Sequence, residues 1–190
     1  MNQGINDTKK NVINTSLRLF KEKGYQNVTI DEICSTAGIS KSTFYYYFKT
    51  KDGLLDDFYD IESQIGIDQI ESFITSNNRW EQFWNTIEPF VDHTINAGPE
   101  IISQLFIANL QTDRNTFSPE NVNTRIPVAI IKKGQEEGHF NNSSDAEEIY
   151  SVIKNTIIGI AVIWCIEKGS FDEKEAIRKA LISILDVKNG

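Results

Sequence analysis

A chain of 190 residues is long for one compact domain and short for two independent ones. With 39% hydrophobic and 24% charged residues its composition is ordinary for a globular protein, which excludes collagen-like and wholly disordered classes. The net charge of −8, taken as a single number, argues against a polyanionic partner.

The charge is unevenly spread. Residues 1–53 hold eight basic and five acidic side chains, +3, and residues 54–190 hold eleven basic and twenty-two acidic, −11. This asymmetry points to two parts with different partners, a domain of residues 1–52 and another of residues 53–190. The two cysteines, Cys34 and Cys165, imply no disulfide framework and fit a reducing cytoplasm. The N-terminal MNQGINDTKK lacks the apolar core of a signal peptide. The longest apolar run, Ile157 to Ile166, is ten residues and by itself too short to cross a bilayer. A cytoplasmic protein with no membrane partner is expected.

Almost every segment repeats its apolar residues at spacings of three and four, which predicts an all-α fold of about nine helices. The first runs from about Asp7 to Lys23 and stops at Gly24. Thr29 and Glu32 form a capping box for a short second helix that ends at Gly38. Ser40 caps a third, of about Lys41 to Phe48, and Thr50 caps a long fourth that reaches about Thr75. Asn78 and Glu81 open a fifth, which ends at Gly98. Pro99 fits the first position of a sixth, and Ser118-Pro119 starts another segment. Pro89 and Pro127, inside helical patterns, are expected to kink or restart their helices. Capping boxes at Ser144–Glu147 and Ser170–Glu173 open two final helices, about 145–168 and 171–187.

The stretch Thr29–Leu55 carries the functional information. Two short helices joined by Ala37-Gly38-Ile39 form a helix-turn-helix, whose second helix can enter the DNA major groove. At about 100° per residue, Phe44 and Phe48 make one buried stripe and Ser42, Tyr45, Tyr46 and Lys49 face the other way, flanked by Thr43. Such a face suits hydrogen bonds to phosphates and contacts with base edges. Catalytic and metal signatures are missing. His93 and His139 are the only histidines, neither has Cys or Asp at ligand spacing, and no HExxH, GxSxG or glycine-rich phosphate loop occurs. No enzyme, cofactor or metal is expected.

Residues 7–55 also resemble the DNA-binding domain of TetR-family (tetracycline-repressor-like) transcription regulators. The matching residues are Phe20, Gly24-Tyr25, Thr29, Ile33, Ala37-Gly38-Ile39-Ser40, Phe44-Tyr45, Phe48, Lys51 and Leu54. The resemblance implies an all-helical homodimer, usually a repressor, released from double-stranded operator DNA by a small ligand in the C-terminal domain. It implies that Tyr45 touches the DNA backbone or a thymine methyl and that Lys51, Thr29 and Ser40 touch phosphates. Lys41, Thr43 and Tyr46 fall where the family varies and are the candidates for base readout. Ser42 stands where glycine is usual, and Tyr47 where histidine is commonest.

For the acidic part, Ile153, Ile157, Ile160 and Trp164 with Ile177, Leu181 and Ile184 are expected to form a dimer interface of two helices from each subunit. A two-fold dimer places its recognition helices about one DNA turn, ~34 Å, or a multiple apart, hence on a pseudo-palindromic operator. The resemblance places an effector pocket among the helices of this part. Its abundant aromatic surface favours a largely apolar or aromatic ligand, and the candidate contacts are Trp80, Trp84, His93, Gln104, Phe106, Asn109 and Arg125. The alternative is a helical ligand-binding or adaptor protein of the same fold that does not bind DNA; Lys41, Lys49 and Lys51 argue against it.

Overall fold

A computed structural model describes residues 3–55, 78–112, 114 and 124–188. Among these are eight α-helices, one 3-10 turn and no strand. We number them α1 (Gln3–Lys23), α2 (Ile30–Ala37), α3 (Lys41–Tyr47), α4 (Arg79–Ala97), α5 (Pro99–Gln111), α6 (Arg125–Glu136), α7 (Ala146–Ile166) and α8 (Glu173–Leu185), with the 3-10 turn at Tyr25–Asn27. The expected all-α architecture is present. The predicted fourth helix beyond Leu55 and the Ser118-Pro119 start lie outside the described residues.

The chain divides into two compact units. The first takes residues 1–61 and 97–116, the second residues 62–96 and 117–190. In the first unit α1 buries Val12, Ile13, Leu19 and Phe20 against a core that includes Ile33, Phe44, Phe48 and Leu54. α1 stops where Gly24 turns to φ 80°, and its amide bonds back to the Phe20 carbonyl at 2.8 Å. α5 joins this unit although it follows α3 by more than fifty residues in the chain.

The second unit is built on α4, α6, α7 and α8. Trp80, Phe83, Trp84 and Val91 of α4 pack in one core with Ile131 of α6, Ile149, Ile153 and Ile157 of α7, and Ile177, Leu181 and Leu185 of α8. Gly134 lets the Phe140 ring lie on the α6 backbone; a Cβ there would fall 2.3 Å from the ring. An isolated antiparallel bridge, Phe140 to Val187, ties the segment after α6 to the end of α8.

Pro127 sits at the third position of α6, at a helix start as expected, where no intrahelical amide is needed, while α4 runs through Pro89 without restarting. Two further local expectations change. The N-caps of α7 and α8 are Asp145 and Asp172 rather than Ser144 and Ser170. The ten-residue apolar run belongs to a 21-residue helix, α7, which by length and composition alone could cross a membrane. Seven of its residues are instead buried within this chain.

Candidate nucleic-acid interface

The geometry of the helix-turn-helix follows from short-range signals. Thr29 Oγ1 accepts the Glu32 amide at 3.2 Å and starts α2. Glu32 does not complete the box, because its carboxylate turns to Lys23. Gly38, at φ 69° and ψ 33°, ends α2 in the left-handed conformation and reverses the chain. Ser40 Oγ then accepts the Thr43 amide at 3.1 Å and begins α3. Its hydroxyl also lies 2.7 Å from Ser42 Oγ and 2.8 Å from Thr43 Oγ1, a chain of hydroxyls along the first turn.

Packing orients α3 about its axis. Phe44 and Phe48 are fully buried, with ring centroids 5.4 Å apart. Ser42, Tyr45 and Tyr46 stand away from that stripe; they, Lys41 at the first position and Lys49 beyond the helix end are exposed, with Thr43 and Tyr47 half-buried. Tyr45 is 53% and Tyr46 74% exposed, a large aromatic surface for a helix of seven residues. Tyr45 leans edge-on against Phe44, and Tyr46 against Tyr47. These contacts restrict the rings. Thr29 and Ser40 are exposed at the N-termini of α2 and α3.

Lys41 pairs with Asp31 at 2.7 Å, both side chains being mostly exposed. The Asp31 hydrogen bond holds the Lys41 pKa above its ordinary value, so the ammonium stays charged. An exposed pair of this kind contributes little to stability.

Lys51 is placed differently from what the resemblance implies. Its ammonium donates to the carbonyls of Tyr25 at 2.8 Å and Val28 at 3.0 Å and lies 4.2 Å from the Tyr25 ring centroid. Burial lowers its pKa. Lys51 therefore caps the 3-10 turn and fastens it to the start of the next helix. The Tyr25 hydroxyl donates to Asp52 on the same side.

The base of this unit is closed by α5, which sequence reasoning did not connect to it. The Tyr25 amide donates to Glu100 Oε1 at 2.9 Å, Gln26 Nε2 donates to Gln104 Oε1 at 3.1 Å, and Arg114 lies 3.6 Å from Asp52. The one local hint is Gly24, where a Cβ would sit 3.1 Å from Glu100 Oε1.

The expected effector residues fall in both units. Of the effector candidates, Gln104, Phe106 and Asn109 belong to the first unit, and Trp80, Trp84, His93 and Arg125 to the second. Trp80 and Trp84 are buried and stack at 6.0 Å, with the Arg178 guanidinium 5.8 and 5.9 Å from their rings. Asn109 donates to the Leu105 carbonyl in its own helix.

The expected dimer residues need correction. Ile153, Ile157, Trp164, Ile177 and Leu181 are buried inside the single chain, and Ile160 and Ile184 pack partly buried against the same core. Buried side chains cannot also face a second copy. The side of α7 left open carries Val152, Ile163 and Ile166, at 53%, 51% and 74% exposure, and Gly159, beside which there is open space. Among the described residues no cluster of His, Cys, Asp and Glu could hold a metal ion.

Residues 12–58 match the family described as bacterial regulatory proteins, tetR family. The chain is 33% identical over 91 residues to the transposon Tn10 TetC protein of Escherichia coli, covering 48% of this chain and 44% of that one. Over 51 residues it is 51% identical to the regulator YerO of Bacillus subtilis, 27% of this chain and 18% of that one. These alignments thus span less than half the length of either relative. The repressor KstR2 of Rhodococcus jostii aligns over 96% of this chain and 92% of its own, at 23% identity. Among solved structures, FadR of Thermus thermophilus, a TetR-family repressor in complex with lauroyl-CoA, shares 19% identity with a TM-score of 0.67, over 96% of this chain and 97% of that one. RolR in complex with resorcinol gives 22% and 0.59, over 99% and 92%. At these identities the likeness to solved structures is one of fold.

Proposed function

The chain belongs to the tetR family of bacterial regulatory proteins, and from that premise we propose that it is a homodimeric transcriptional repressor that reads a pseudo-palindromic operator and is released by a small effector. The observation that carries this reading is the outer face of α3. Hydroxyls, two exposed tyrosine rings and Lys41 stand on a helix whose inner face is locked by Phe44 and Phe48, with Lys49 just beyond its end. A surface that only had to be soluble would not expose that much aromatic area.

In this reading residues 1–52 hold the DNA-reading function and residues 53–190 the effector and dimer functions. Ser40, Ser42, Tyr45, Tyr47, Lys49 and the N-terminus of α2 at Thr29 meet the backbone. Lys41, Thr43 and Tyr46 meet base edges. The dimer forms on the open side of α7, where Gly159 lets two helices approach. Action on DNA places the protein in the cytoplasm. The structural neighbours hold lauroyl-CoA and resorcinol, ligands with large apolar or aromatic parts, and the aromatic core of the second unit suits an effector of that kind. Effector binding favours a dimer geometry that no longer matches the half-site spacing.

The test is fluorescence anisotropy with fragments of the promoter DNA beside the gene. Submicromolar, salt-sensitive binding to one fragment over random DNA is expected. Tyr45→Ala weakens binding to any sequence, and Tyr46→Ala changes base preference. Equal binding to every fragment by the intact protein refutes the reading.

A further inference from the structure

Between the start of α6 and the middle of α7, within the second unit, lies a cleft of about 200 Å³. Its lining is unlike the apolar core of the same unit. Arg125 and Lys154 supply two cations, and Thr124, Tyr150 and Ser151 supply three hydroxyls. Arg125 makes no ion pair among the described residues, and Lys154 lies 5.7 Å from the Tyr150 ring centroid. The single carboxylate on the lining, Glu147, has its own cation, Lys132, at 3.6 Å. The cleft opens at the N-terminus of α6, a twelve-residue helix whose N-cap Thr124 makes no capping bond to the free amides of the first turn.

Tyr150 supplies the second, independent sign. The residue is only 5% exposed, yet its hydroxyl has no hydrogen-bond partner among the described residues, and it lines the cleft. A hydroxyl on the wall of an open cleft, with no protein partner among the described residues, is available to a ligand. Burial raises the Tyr150 pKa to about 12, so the hydroxyl keeps its proton and remains a donor.

We propose that this cleft binds a small organic anion, its carboxylate or phosphoryl oxygens held by Arg125 and Lys154 and by the Tyr150 hydroxyl. Arg125 provides a fork of N–H donors, Lys154 a point charge, and the first amides of α6 add their partial positive charge. Val128 and the Tyr150 ring offer a small apolar surface beside the cations. The volume is below the range of about 300–1,000 Å³ usual for drug-sized ligands, which favours a small ligand here. The inference is independent of DNA binding and holds for the alternative adaptor reading as well.

Calorimetric titration of the full chain at low ionic strength tests it, with sodium benzoate and sodium phosphate as probes and sodium chloride as reference. Saturable binding of one probe per chain supports the site, and the probe that binds assigns its chemistry, carboxylate or phosphoryl. Arg125→Ala combined with Lys154→Ala should lower affinity at least about tenfold, and Tyr150→Phe about fivefold. Arg125 is exposed and Tyr150→Phe removes one oxygen, so both variants should fold, which circular dichroism checks. If neither probe saturates, or if both bind the double variant as well as the parent, the proposal is overturned.

Discussion

α3 and α7 both present large side chains to solvent, and the difference between them is instructive. Tyr46 on α3 and Ile166 on α7 are equally exposed, at 74%. Tyr46 ends in a hydroxyl and has Ser42 as a neighbour on its face, so it suits a polar, hydrated partner. Ile166 ends in methyl groups and lies on a line with Val152, Gly159 and Ile163, so its partner must be dry and close. Exposure alone says only that a surface has work to do; the chemistry at the tip of the side chain says with what.

The sharpest way to break this contrast is to compare the two faces of α3. Phe44→Ala removes a fully buried ring and should destabilise the protein by about 3–5 kcal/mol in urea denaturation. Tyr46→Ala should leave stability within about 0.5 kcal/mol while abolishing discrimination between DNA fragments. Equal destabilisation by both would mean that Tyr46 is part of the core.

The matching experiment on α7 is Ile163→Asp with Ile166→Asp. Four such side chains meet in a two-fold pair. At somewhat under 1 kcal/mol for each half-exposed group, dimerisation should weaken by about 3 kcal/mol, which sedimentation reads as dissociation at micromolar concentration. A dimer unaffected by two charges on this face would move the interface elsewhere.

A third prediction concerns Glu173, which the shifted N-cap at Asp172 leaves at the first position of α8. It is 2% exposed, and neither carboxylate oxygen has a hydrogen-bond partner among the described residues. Burial pushes its pKa up to about 7, above the usual 4.5. The unfolded chain therefore releases this proton at lower pH than the folded one. Stability should fall as pH rises from about 4.5 to about 7 and then level off, a loss of roughly 3 kcal/mol at most from this group. Thermal denaturation of Glu173→Gln across that range should lack this slope.

The smallest effect separates two roles for Lys51. If it caps the carbonyls of Tyr25 and Val28, Lys51→Met costs about 2 kcal/mol of stability. The dependence of DNA affinity on salt should then keep its slope, whereas loss of a phosphate contact would reduce that slope by about 1.

The helix-turn-helix was legible because each of its determinants acts over a few residues. Gly38 reverses the chain, Ser40 caps α3, and a four-residue interval puts Phe44 and Phe48 on one side. The role of Lys51 was not legible, since its partners lie 26 and 23 residues back in the chain. The docking of Glu100 on the Tyr25 amide spans 75 residues and leaves no periodic trace. On α7 the periodicity identified apolar residues correctly but could not say which stripe faces inward, because this helix is apolar on more than one side. Ile153 and Ile157 turn out to be core, and the open side is shifted toward Val152 and Ile163. The capping boxes erred by one and two residues because Asp145 and Asp172 compete with Ser144 and Ser170 for the same amides.

That the first unit is made of residues 1–61 and 97–116 also has a consequence for its synthesis. The recognition helix leaves the ribosome early, but the Glu100 carboxylate that receives the Tyr25 amide follows it by more than fifty residues. At typical rates of elongation the reading part waits on the order of 5 s for its base to be closed. A nascent chain, or a fragment ended near residue 55, carries the whole of α3 with the Tyr25–Asn27 turn short of its α5 contacts. The order of translation itself thus leaves α3 for that interval on a unit whose base is not yet closed.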